Sequence, residues 1–159
     1  MKASRFRRRL VLAMLVVYTG FVLLITLTPR MPGTGLVSRI VDRFIYELGE
    51  HGITNIHFLD IEFFGNILMF VPLGVFTALL IPRRAWWTLL FLGTAFSGVI
   101  EASQAAFLPD RYPEVRDLIS NTTGFLIGAA AAVILRLTVS HRDGLVEQDR
   151  RRAEALARR

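Results

Sequence analysis

Residues 86–107 read WWTLLFLGTAFSGVIEASQAAF, and a single carboxylate, Glu101, interrupts a run that is otherwise apolar, small or neutral. A helix rising ~1.5 Å per residue needs about 20 such residues to cross a roughly 30 Å hydrocarbon core. The run is long enough to cross. Whether Glu101 is then an oddity or a site depends on what the rest of the chain sets beside it.

Three more blocks of this kind flank the run, at about 10–28, 63–81 and 118–137. They explain why 53% of the 159 residues are hydrophobic and why the mean hydropathy is +0.47. The expected fold is all-α, a four-transmembrane-helix bundle with spans at about 10–28, 63–81, 86–107 and 118–137. Residues 10–137 form its membrane domain, 1–9 a basic N-terminal segment and 138–159 a charged tail, solvated or frayed. Block one has the basic start of a signal peptide, but its apolar core is too long and no A-x-A-like site follows, so it reads as a retained anchor. The chain has no cysteine, which excludes disulfides and thiolate metal sites.

The formal charge of +6 and a pI near 10.9 would point to nucleic acid in a soluble chain. Here the basic residues have a simpler reading. Lys2, Arg5, Arg7, Arg8, Arg9, Arg83, Arg84 and seven arginines from Arg136 onward fall in alternate segments; only Arg30, Arg39, Arg43, Arg111 and Arg116 fall in the others. Under the positive-inside rule this puts both termini in the cytoplasm. No nucleic-acid partner is expected. Membrane lipids are.

Between spans one and two, Pro29, Pro32, Gly33 and Gly35 break the first helix. Leu36, Val37, Ile40, Val41, Phe44, Ile45 and Leu48 then form one apolar face, with Arg39, Asp42, Arg43 and Glu47 opposite. This predicts an amphipathic helix in the first outer loop, lying in the interface or capping the bundle. The PRR turn at 82–84 makes spans two and three antiparallel neighbours.

With that layout Glu101 has company. Ser97, Glu101 and Gln104 share one helical face, and Gly93 extends it inward. Asp117, Asn121, Gly124 and Gly128 form a stripe on span four, and Glu62 and Asn66 recur on span two. Three helices each bring a carboxylate and an amide to the outer third of the membrane. A charge at helix centre costs about 2.5–3.5 kcal/mol on insertion scales, so such groups turn toward one another rather than toward lipid. Arg111 in the short loop reaches back to neutralise Glu101 or Asp117, with Arg116 as its rival. Gly124, Gly128 and Ala132 form a small-residue track for close packing. Each residue also has a plainer reading: Asn66 and Asn121 as interhelical glue, Glu101 with Arg111 as a structural ion pair, Pro72 and Gly74 as a kink in span two. His51, His57 and His141 lack ligand spacing, so no metal site and no cofactor are expected.

The ordered pieces GNILMFVPLG (65–74), Glu101-x-x-Gln104 and Arg111-x5-Asp117-x3-Asn121-x2-Gly124-x3-Gly128, with TLTP closing span one, resemble the VanZ-like family of bacterial membrane proteins. The resemblance covers roughly residues 10–137. Its motif positions fall on Asn66, Phe70, Pro72, Gly74, Glu101, Gln104, Arg111, Asp117, Asn121, Gly124 and Gly128. It implies a multi-pass protein of the bacterial cytoplasmic membrane with a role in the cell envelope, in a family named for low-level resistance to the glycopeptide teicoplanin. The segment at 36–49 and the arginine-rich tail lie outside the pattern.

The leading expectation is an outward-facing polar pocket that binds an envelope lipid, a cell-wall precursor or a lipophilic glycopeptide. Asn66, Glu101, Gln104, Arg111, Asp117 and Asn121 would line it. Pro72, Gly74, Gly124 and Gly128 would shape it. One alternative is an enzyme acting on a lipid-linked substrate, with Glu101 as acid or base and Arg111 stabilising negative charge. Against it, no nucleophile, metal cluster or phosphate loop is visible. The other alternative is a small assembly or transport partner.

Overall fold

The computed structural model describes residues 2–28, 43–47, 49–52, 57–108 and 114–157. Four long helices carry the chain: α1 (Lys2–Leu27), α2 (Phe58–Leu80), α3 (Thr88–Phe107) and α4 (Val115–Ala157). No strand occurs among the described residues, and each helix holds a window long and apolar enough to span a bilayer. Of the amphipathic helix expected at 36–49, residues 43–47 are helical; most of the remainder lies outside the described residues.

The helix ends follow local chemistry. α2 starts at Phe58 rather than 63 because the Asp60 carboxylate accepts the His57 backbone N–H at 3.1 Å, one arm of a capping box. It stops at Ile81, extended at φ −77°, ψ 134° as a residue before proline prefers. α2 runs unbroken through Pro72. A 3-10 turn, Arg83–Ala85, leads to α3, which ends at Leu108, again extended ahead of a proline. α1 begins at Lys2, so the basic N-terminal segment belongs to the helix; arginine is a good helix former. α4 continues past 137 to Ala157, supported there by Arg151–Glu147 and Arg150–Glu154 pairs one turn apart.

Burial is inverted relative to a soluble bundle. Val17, Leu68, Phe91 and Ile134 are 74%, 71%, 66% and 63% exposed, while Ser97, Ser120, Asn121, Gln104, Glu101 and Thr26 are buried. An apolar outer surface around a partly polar centre is what lipid as solvent selects. The multi-pass reading follows from this inversion together with span length.

α2 and α4 make the most extensive contact and run in the same direction. A Cβ on Gly124 would overlap the Ile67 carbonyl oxygen, one on Gly128 that of Val71, and one on Gly74 that of Phe125. The two backbones therefore touch. In lipid there is no hydrophobic drive between helices, so close packing of this kind supplies the attraction. The small-residue track expected on span four finds its partner in α2. Phe70, Leu73, Ile100, Phe125, Ala129 and Ala132 complete the core.

A second fastening sits at the far end of the same interface. Pro82 has no N–H, so the Ala78 carbonyl lacks its usual donor four residues on. Arg136 on α4 supplies one: its Nη1 donates to Ala78 O at 2.8 Å and to Ile81 O at 2.9 Å.

Candidate functional site

The C-terminal ends of α1 and α3 and the N-terminal ends of α2 and α4 meet at one end of the bundle. The polar side chains gather there. Gln104, 3% exposed, donates from Nε2 to the Thr26 carbonyl at 2.9 Å. Thr26 lies in the last turn of α1, so this bond ties the end of α1 to α3. Asn66 on α2 donates from Nδ2 to Asp117 Oδ1 on α4 at 3.0 Å. The Glu101 carboxylate on α3, 8% exposed, accepts the Glu114 backbone N–H at 3.1 Å. It thus stands at the N-terminus of α4, where unsatisfied donors and the helix dipole favour an anion. Ser120 Oγ turns back to the Asp117 carbonyl at 3.1 Å.

Arg116 takes a different partner from the one its sequence position suggested. Its Nη2 donates to Asp60 Oδ1 at 2.9 Å, and its guanidinium lies 5.2 Å from the centroid of Phe63. Both groups are about 40% exposed, so the pair rims the site rather than entering it. Arg111 lies outside the described residues.

The register of α3 against α4 orders the interior. The Cβ direction of Gly93 meets the Phe125 ring, and Glu101 meets Glu114. The helices are antiparallel, so Ser97 stands level with Asn121. Both are at most 3% exposed. Ser97 Oγ and Asn121 Oδ1, with the nearby Thr122 Oγ1, have no hydrogen-bond partner among the described residues. Below them the Cβ direction of Gly93 meets the ring of Phe125, which belongs to the apolar core.

Of the expected site residues, Asn66, Glu101, Gln104, Asp117 and Asn121 converge at this end. Thr26, Ser97 and Ser120 join them although the site reading left them out. Ser97 was legible, sharing the Glu101–Gln104 face. Thr26 contributes a backbone carbonyl, for which side-chain patterns carry no signal. Ser120 is one position off the 117–121–124–128 stripe, and its neighbour Asn121 explains its depth better than any periodicity.

The family model described as VanZ/LLP1 matches residues 11–136, all four spans included. The chain belongs to the VanZ/LLP1 family. No curated protein and no solved structure matches it. The family match covers the whole polar end of this VanZ/LLP1 bundle and stops at Arg136, before the charged extension of α4.

Proposed function

We propose that the polar end of this VanZ/LLP1 protein binds the hydrophilic head of an envelope amphiphile, a membrane lipid or a lipid-linked cell-wall precursor, from the outer face of a bacterial cytoplasmic membrane. The observation that supports this reading is the unused hydrogen-bonding capacity of Ser97 Oγ and Asn121 Oδ1 in a fully buried position. An unsatisfied buried polar group costs about 1–3 kcal/mol. A bundle selected only for packing would have shed it. A ligand hydroxyl or amide offers the missing partners, beside Asn66, Gln104 and Asp117, which are bonded within the bundle. Arg111, close by in sequence, adds a forked donor suited to phosphate.

Glu101 supports binding better than acid–base chemistry, because its Oε2 is engaged by the α4 N-terminus. A lipophilic glycopeptide has the same amphiphilic character, and glycopeptide tolerance is the phenotype this site would produce if the drug were its occupant.

Asn121→Leu separates structure from ligand. Removing an unpaired buried acceptor leaves thermal stability in detergent unchanged or higher. Over the same series, lipids and precursors that co-purify with the wild type are lost, as read by mass spectrometry of extracted ligands. Equal recovery from wild type and Asn121→Leu would end the reading. Adding a glycopeptide to the same preparations distinguishes drug from precursor.

A further inference from the structure

The opposite end of the bundle carries a different feature. A cavity of about 390 Å³ opens between the ends of α2, α3 and α4, walled by Ala78, Ile81, Trp86, Leu89, Val133 and Leu137 and rimmed by Arg83 and Arg136. Its volume lies within the roughly 300–1,000 Å³ of small-molecule sites. We propose that it binds an anionic phospholipid, with an acyl chain in the cavity and the phosphate on the Arg83–Arg136 rim. This goes beyond the polar-end reading and is independent of it.

The charge balance argues for an anion. Arg43, Arg116, Arg150 and Arg151 each pair with a carboxylate; Arg83, Arg84 and Arg136, like Arg5, Arg7, Arg8, Arg9 and Arg142, pair with none among the described residues, and of these Arg83 and Arg136 line the cavity. Arg136 is half-buried. Its Nη1 is spent on the α2 carbonyls, and Arg83 Nη2 donates to the Arg136 carbonyl at 3.1 Å. A guanidinium has five N–H donors, so Nε and Nη2 of Arg136 and the remaining donors of Arg83 are left for a phosphate. A phosphate accepts such a planar fork with two bonds at once.

Depth argues for a lipid rather than a soluble anion. Trp86, which lines the cavity with both arginines, and its neighbour Trp87 are 58% and 56% exposed, and tryptophans of this kind mark the headgroup level. The rim therefore lies where lipid phosphates lie, and the apolar walls lie where acyl chains begin. Basic pockets between membrane helices recognise anionic headgroups through the same geometry.

The test uses the full chain in detergent, exchanged against phosphatidylglycerol or phosphatidylcholine and read by native mass spectrometry. The wild type retains phosphatidylglycerol in preference to phosphatidylcholine. Arg83→Gln loses it, as does Val133→Phe, which fills the cavity without altering charge; Leu137→Trp, on the exposed rim, repeats the blockade should Val133→Phe unfold. Arg84→Gln, an equal charge change outside the cavity, keeps it. Equal retention of both lipids overturns the proposal. So does equal loss in Arg84→Gln and Arg83→Gln, which would mean diffuse surface charge, or displacement of the lipid by inorganic phosphate, which would mean a simple anion site.

Discussion

At the scale of single residues, polar groups in this bundle do two kinds of work, and mutation separates them. Gln104 is a fastener: it donates from α3 to a carbonyl in the last turn of α1. Gln104→Leu keeps the volume but removes the bond that ties α3 to the Thr26 carbonyl, so stability falls by about 0.5–1.5 kcal/mol, measurable as a lower Tm in detergent. Asn121 is the opposite case, with an acceptor that no described residue uses. The Arg116–Asp60 pair is a third kind, half-exposed and screened by solvent, so Arg116→Ala lowers Tm only slightly. That the amides and carboxylates would meet was legible from their helical spacing. Which of them would be satisfied was not, because Thr26 and Glu114 enter through backbone atoms and Arg116 reaches a carboxylate on another helix.

At the scale of elements, the α2–α4 contact decides the architecture. Gly74, Gly124 and Gly128 permit it, and each faces backbone rather than a movable side chain. Gly128→Ala gains up to about 1 kcal/mol in helix propensity. The clash with the Val71 carbonyl opposes it, and overpacking costs about 1–3 kcal/mol or more where backbone must move. A net loss of Tm is expected. Gly98, with no atom near its Cβ direction, is the control, and Gly98→Ala is neutral or stabilising. The four spans and the glycine track were legible, since length, apolarity and small-residue spacing follow from lipid as solvent; that α2 packs mainly on α4, and only slightly on the α3 to which the PRR turn joins it, was not. Nor was the role of Arg136. Its guanidinium answers a donor missing from Pro82, just past the end of α2 and more than fifty positions earlier, and only the register of α2 against α4 brings the two together.

At the scale of the molecule, charge divides between two ends. The directions of the helices put Arg5–Arg9, the Arg83–Arg84 turn and the extension of α4 at one end, and Asp60, Glu62, Glu114 and Asp117 at the other. α4 has 43 residues, about 65 Å at the usual rise, roughly twice a hydrocarbon core. With Arg136 near the tryptophan level, the portion beyond it projects past the membrane on the basic end. The positive-inside rule predicts that this end faces the cytoplasm. The chain contains no cysteine, so single thiols test this cleanly. His57→Cys, at the polar end, reacts with a membrane-impermeant maleimide added to intact cells, while Arg84→Cys reacts only after permeabilisation. Losing one arginine leaves the basic end dominant, so the variant itself does not reverse the protein. The opposite labelling pattern would turn the polar end toward the cytoplasm, and no envelope ligand approaching from outside would then meet Ser97 and Asn121.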